Sequence, residues 1–265
     1  MTGRLRHYAC GSTSHDLASM FRGAPPERRR FPSGVFLYDG ADGRRVLFDT
    51  GYATGEWATG WRGAVYRRLL PPRVEDADDV ARRLQDDDVD PASVTHVVLS
   101  HLHPDHVGGV RRFPDATFVV SEGLQRTLAA PTLRSGVLTG LLPDWFDSAA
   151  KRVLRADEFA PRVVRGVEVA AVDLFGDGSY LLVDLPGHAD GHLGALVGGS
   201  VLLAGDAAWG SDLLADAPRL RTLPRAVQFD ADAYVRTAHT IAGLADAGVR
   251  VVCSHDPLLG RELAG

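Results

Sequence analysis

What recurs along this chain is a short apolar run with a reactive residue just after it. Residues 35–39 (VFLYD) and 45–49 (RVLFD) are β-rich runs joined by the turn-forming GADG, which predicts a hairpin ending in Asp49-Thr50-Gly51. Further runs at 96–100 (HVVLS), 116–121 (ATFVVS), 167–173 (VEVAAVD), 179–185 (SYLLVDL), 194–197 (GALV), 200–204 (SVLLA) and 249–253 (VRVVC) predict strands, with Gly198-Gly199 as a turn between two of them. Helical spacing occurs twice. Residues 75–88 place Val80, Ala81 and Leu84 together behind a first turn of acids, which predicts a surface helix. Residues 230–246 place Tyr234, Ala238, Ile241 and Ala245 on one face, with Asp230 or Asp232 as N-cap. Segments 54–70 and 131–149 are less regular and rich in Trp, Leu and Gly. Strands precede helices in both halves, which predicts an α/β protein with mixed sheets. With no visible repeat and no Pro/Gly/Ser-rich linker, residues 1–265 are expected to form one domain.

Composition narrows the class. A hydrophobic fraction of 45% and a charged fraction of 24% exclude long disorder and fibrous architectures, and 29 glycines favour many tight turns. The formal charge is −5 with no long basic stripe, so nucleic acid is not an expected partner. Lys151 is the only lysine and Asn is absent, a bias that reads as a GC-rich genome rather than as function. Cys10 and Cys253 are too few for a disulfide framework, and the first residues carry no apolar stretch of a secretory kind, so a reducing cytoplasm is expected. No apolar run reaches the roughly 18 residues that a membrane helix needs. A soluble protein with no membrane partner is therefore expected.

The chemistry concentrates in the histidines. Of ten, His101, His103 and His106 fall within six residues, with Asp105 between them. In H-x-H on extended backbone, two imidazoles point to one side and can reach one ion at about 2.1 Å. The Asp-His pair after Pro104 then offers one carboxylate and one imidazole to a second ion. Catalytic zinc needs further ligands from distant sequence, and candidates stand where strands end: His188 after SYLLVDL, Asp206 after SVLLA and His255 after VRVVC. The resulting count is His101, His103 and His188 on the first ion, Asp105, His106 and His255 on the second, and Asp206 bridging. Such a centre polarises a carbonyl or phosphoryl oxygen. His7, His15, His96, His192 and His239 read as structural or exposed.

The motifs Phe48-Asp49-Thr50-Gly51, Ser100-His101-Leu102-His103-Pro104-Asp105-His106-Val107-Gly108-Gly109, Pro186-Gly187-His188, Gly205-Asp206-Ala207 and Ser254-His255-Asp256 together resemble the signature of the metallo-β-lactamase-fold hydrolase superfamily. They follow that family's order and span residues 35–256. The resemblance implies a four-layer αββα sandwich with a dinuclear metal site at one edge between the sheets, usually zinc, with iron or manganese in some members. Within the superfamily the chain resembles the N-acyl homoserine lactone lactonases and related small lactone or ester hydrolases, on Asp206 as bridging carboxylate, the hairpin at 35–53 and the absence of any appended domain. It departs from them at Trp209, where those lactonases carry a Tyr that helps polarise the substrate carbonyl. Indole offers one N–H donor and no ionisable hydroxyl. Tyr52 is a candidate replacement. The resemblance also places the Asp49 loop beside the metals, where Asp49 would accept an N–H from a metal-bound imidazole and fix its tautomer; the alternative is a plain turn closing the hairpin.

The expected activity is hydrolysis of a lactone or carboxylic ester by a metal-bridging hydroxide, with Asp105 or Asp206 moving the proton. Thioester hydrolysis of the glyoxalase II kind and an iron-dependent redox activity are the alternatives. A nuclease reading lacks a basic groove, and a purely binding role is disfavoured because all seven candidate ligands are present. Penicillin-type substrates are disfavoured by the lack of a secretion signal. Trp57, Trp61, Leu142, Trp145 and Phe146, with Tyr52 and Trp209, are candidate walls for a hydrophobic small-molecule substrate. The same apolar residues could instead be core, or the contact of a homodimer.

Overall fold

The computed structural model describes residues 3–55, 57, 59–257 and 262–263. Among the described residues, twelve strands form two six-stranded sheets. The first contains β1 (Arg4–Asp16), β2 (Arg28–Asp39), β3 (Arg45–Phe48), β4 (His96–Val98), β5 (Thr117–Ser121) and β6 (Lys151–Leu154), paired in chain order. Its first two pairings are antiparallel and the rest parallel. The second contains β7 (Ala160–Val164), β8 (Val167–Asp173), β9 (Tyr180–Asp184), β10 (Leu193–Val197), β11 (Val201–Leu203) and β12 (Arg250–Val252), also paired in chain order. Here only β11 and β12 run parallel.

Strand periodicity divides the apolar runs between two cores. Phe36, Val46, Phe48, Val98 and Val119 of the first sheet meet Leu182, Leu193, Ala195, Leu203 and Val252 of the second in a buried layer between them. The alternate residues, Leu37, Leu47, Val97 and Phe118, face the other side with Val80 and Leu84. On the second sheet Val183, Leu196 and Leu202 likewise turn outward, against Tyr234, Ala238 and Ile241 of the helix Ala231–Asp246. Because both faces of the central strands are buried, these strands read as unbroken apolar runs. The layering is αββα, with helices on the outer faces. Among the described residues no helix is long and apolar enough to cross a membrane.

The hairpin at residues 35–49 is present, though β2 starts seven residues earlier, at Arg28. The helix expected over residues 75–88 is broken into a 3-10 turn at Asp76–Asp78 and a helix at Val80–Gln85. Asp79 causes the break by capping the second piece, its carboxylate accepting from the Ala81 and Arg82 amides. Asp230 caps the long helix in the same way. The irregular segment 54–70 contains a helix, Gly60–Leu69, and segment 131–149 contains 3-10 turns at Thr139–Leu141 and Asp144–Ser148.

Candidate metal centre

Every candidate ligand follows the carboxyl end of a strand: His101, His103, Asp105 and His106 follow β4, His188 follows β9, Asp206 follows β11 and His255 follows β12. Pro104 opens a single helical turn, Pro104–Val107, in which the amide of His106 donates to the His103 carbonyl. Gly108 ends it where a side chain would lie 2.0 Å from the Ala53 nitrogen. The close approach locks this turn to the loop after β3.

The residues gather in two groups. Ligand atoms of His101, His103, His188 and Asp206 lie within 4.8 Å of one another, and so do those of Asp105, His106 and His255. Asp206 stands between the groups, with Oδ2 3.0 Å from His255 Nε2 and 3.6 Å from His188 Nε2, and Oδ1 3.3 Å from His106 Nε2. Asp105 Oδ2 lies 3.6 Å from His106 Nε2 and 3.7 Å from His255 Nε2.

The outward edges of the rings are tied down. His106 donates Nδ1–H to Asp49 at 2.7 Å, His255 donates Nδ1–H to the Pro32 carbonyl at 2.7 Å, and His188 Nδ1 lies 2.9 Å from Gln228 Oε1. His101 Nδ1 lies 3.0 Å from the Ser100 hydroxyl. His103 is turned the other way, its Nδ1 3.1 Å from His188 Nε2 and its ring bonded to the Ser135 backbone. Asp49 also accepts from the Ser100 amide and hydroxyl, at 2.8 and 2.7 Å, and holds a left-handed backbone at φ 61°. Three donors converging on one carboxylate hold a conformation that is otherwise costly for a non-glycine residue.

Burial pulls His101 well below the ordinary imidazole range and brings His103 and His188 to about 4, so these rings are neutral and offer lone pairs at neutral pH. In the second group burial acts in the same direction, but Asp206 and Asp105 outweigh it. They raise His255 to about 9 and, with Asp49, hold His106 well above its ordinary range. Burial would raise the Asp206 carboxyl, yet His255 and His106 hold it well below its usual range. The Asp206 carboxylate is thus ionised where the two groups meet, flanked by the imidazoles of His106 and His255. His101 Nε2, His106 Nε2 and Asp206 Oδ1 are buried without a hydrogen-bond partner among the described residues. Buried ligand-type atoms left unpartnered in both groups are the signature of a polar site built for something else to complete. The imidazole and carboxylate donor set fits divalent ions of the zinc, iron or manganese type.

A cavity of about 390 Å³ opens beside His101, His103 and His188. Leu124, Val137, Val227 and Phe229 give it apolar walls, and Arg126 and Arg134 add positive charge. None of the walls expected from the sequence is in the lining of this cavity. Trp61 is 63% exposed on the helix Gly60–Leu69. Leu142, Trp145 and Phe146 pack on the outer-face cluster of the first sheet, Phe146 edge-on to Phe118, where their apolar surface is used as core. Trp209 packs edge-on against Phe21 and His188 and tilted against Tyr234. Tyr52 is buried with Trp57 stacked on it, and its hydroxyl lies 3.3 Å from that of Tyr66. Burial raises both phenols well above their ordinary range, and the Asp105 and Asp206 charges add to the rise, so both stay neutral hydroxyl groups. Tyr66, Gln228 and Ser135 have no sequence signal, since each reaches the site only through tertiary packing. His192, read from the sequence as structural or exposed, is fully buried, its Nε2 accepting the Asp206 amide at 3.0 Å.

Residues 28–255 match the model of the metallo-beta-lactamase superfamily, and the chain belongs to it. It is 33% identical over 235 residues to N-acyl homoserine lactonase AttM of Azorhizobium caulinodans, covering 85% of this chain and 79% of that one. It is 30% identical over 238 residues to the probable metallo-hydrolase Rv2300c of Mycobacterium tuberculosis, covering 84% and 74%. Its fold matches that of an N-acyl homoserine lactone hydrolase solved with N-hexanoyl-L-homoserine at its catalytic metal centre, at a TM-score of 0.73 and 18% identity over 97% of this chain and 94% of that one. The αββα sandwich expected from the sequence is therefore the fold of this protein.

Proposed function

We propose that the protein is a hydrolase of lactones or related carboxylic esters that works with two divalent metal ions, zinc foremost. His101, His103 and His188 would hold one ion, Asp105, His106 and His255 the other, and Asp206 both. The observation that carries this reading is the position of Asp206, within 3.6 Å of imidazole nitrogens of both groups. It is supported by the similarity to AttM, named as an N-acyl homoserine lactonase.

Bound divalent ions would supply Lewis acidity toward the substrate carbonyl and an acidified water at neutral pH. The chain supplies the rest. Apolar walls at Leu124, Val137, Val227 and Phe229 take up a hydrophobic acyl group and exclude water from it. Tyr52 and Tyr66, neutral and sharing a hydroxyl contact, can donate to an oxygen on which negative charge develops. Asp105, 3.6 Å from His106 Nε2 and 3.7 Å from His255 Nε2, would take a proton from the attacking water and deliver it to the leaving oxygen.

The test is metal content per chain together with turnover of a panel of N-acyl homoserine lactones, simple lactones, aryl esters and acyl thioesters. Two ions per chain and lactone or ester turnover lost on chelation are expected. Hydrolysis of thioesters alone would move the substrate class, and fully metallated protein with no hydrolytic activity would overturn the reading.

A further inference from the structure

Gln228 lies in no motif of the sequence, yet it is fully buried and bonded to the site. Its Nε2 donates to the Pro224 carbonyl at 3.0 Å. A carbonyl can only accept, so Pro224 decides which end of the Gln228 amide faces it, and Oε1 is left facing His188. Oε1 can only accept in its turn, so His188 carries its proton on Nδ1. The bare Nε2 of His188 then points inward, 3.1 Å from His103 Nδ1 and 3.6 Å from Asp206 Oδ2. One backbone carbonyl thus sets a lone pair two residues' reach away.

The surrounding backbone holds this chain of bonds in place. Phe229 N–H donates to the His188 carbonyl at 3.1 Å, and Asp230 N–H donates to the Gly187 carbonyl at 2.9 Å. Gly187 has φ +132°, and a side chain there would lie 2.2 Å from the Tyr234 nitrogen, so the loop carrying His188 lies flush against the start of the long helix. From across the cavity the Arg134 guanidinium donates to the Gln228 carbonyl at 2.6 Å.

We infer that Gln228 is a positioning residue, which holds His188 as the Nδ1–H tautomer and aims its Nε2 at the group formed with His101, His103 and Asp206. The consequence for metal affinity rests on the metal-centre reading above; the tautomer does not, because it belongs to the metal-free protein.

The experiment is a long-range ¹H–¹⁵N correlation spectrum of metal-free, histidine-labelled protein, paired with chelator competition for Zn²⁺, on the wild type, Gln228→Leu and Gln228→Glu. Wild-type His188 is expected to be protonated on Nδ1. Gln228→Leu removes the acceptor, so the Nε2–H form is expected to appear and Zn²⁺ affinity to fall about 10- to 100-fold. Gln228→Glu keeps an acceptor and is expected to retain the Nδ1–H form with affinity within about threefold of wild type. An Nε2–H His188 in the wild type, an unchanged tautomer in Gln228→Leu, or equal losses of affinity in both variants would each overturn the inference. If Gln228→Leu does not fold, the wild-type and Gln228→Glu spectra decide it. A wild type that takes up no Zn²⁺ would sink the metal-centre reading, and the tautomer spectra would still decide the role of Gln228.

Discussion

Asp49 accepts the Nδ1–H of His106 at 2.7 Å, and neither side chain is reached by solvent. The pair fixes the orientation of the His106 ring, with Nδ1 bound outward and Nε2 turned toward Asp206 and Asp105. Replacing Asp49 by Asn would set an amide where the Nδ1–H and two Ser100 donors now find acceptors. Metal affinity is expected to fall about 10- to 100-fold, measured by chelator competition. Wild-type affinity in a folded Asp49→Asn protein would reduce the pair to a structural contact.

Asp206→Asn is expected to lower turnover by at least about 100-fold in a protein that still folds, because one carboxylate faces both groups. Circular dichroism and metal content separate loss of the fold from loss of the site. Near-normal rates would remove the shared-carboxylate arrangement.

The hydroxyl pair of Tyr52 and Tyr66, 3.3 Å apart, is the proposed source of the phenol hydrogen bond that Trp209 cannot supply. Tyr66→Phe is expected to reduce kcat about 100-fold with little change in KM. Trp209→Phe should leave kcat nearly unchanged, since the indole serves as packing for Phe21 and Tyr234. The opposite ranking of the two variants would make the indole N–H the donor.

His7 offers a pH test away from the centre. Burial alone lowers it from the ordinary 6.5 to about 4, and its Nε2 has no hydrogen-bond partner among the described residues. As pH falls, the unfolded chain takes up the proton first. The contribution is whole above pH 6.5 and is lost as pH falls toward 4, by up to about 3 kcal/mol. His7→Leu should remove that part of the acid destabilisation, so urea midpoints of the two proteins should diverge below pH 6. Midpoints that stay parallel from pH 8 to 4.5 would mean that His7 is not the source.

The interior strands are legible in the sequence because both of their faces are buried, so that 35–38, 97–99 and 201–203 are apolar throughout. β1 is not. Its segment RLRHYACGSTSHD is polar, and Arg6 is buried because Asp39 and Asp87 pair with it. β6 and β7 carry Lys151, Arg152 and Arg162 and hide for the same reason. The dense H-x-H-x-D-H motif advertises itself, and His188, Asp206 and His255 could be linked to it through their place at strand ends. Gln228 and Tyr66 could not. Gln228 is 40 residues from the histidine it touches, and no local spacing encodes that meeting.

His101, His103, Asp105 and His106 follow the first sheet, whereas His188, Asp206 and His255 follow the second. Any cation that both gathers would therefore act as a rivet across the seam between two half-molecules. Its contribution would grow with the logarithm of its free concentration, to about 4 kcal/mol at a thousandfold excess over Kd. Chelation should then lower the melting temperature and loosen the seam before either sheet. How firmly the halves are joined would be set in part by the supply of a solute rather than by the chain alone.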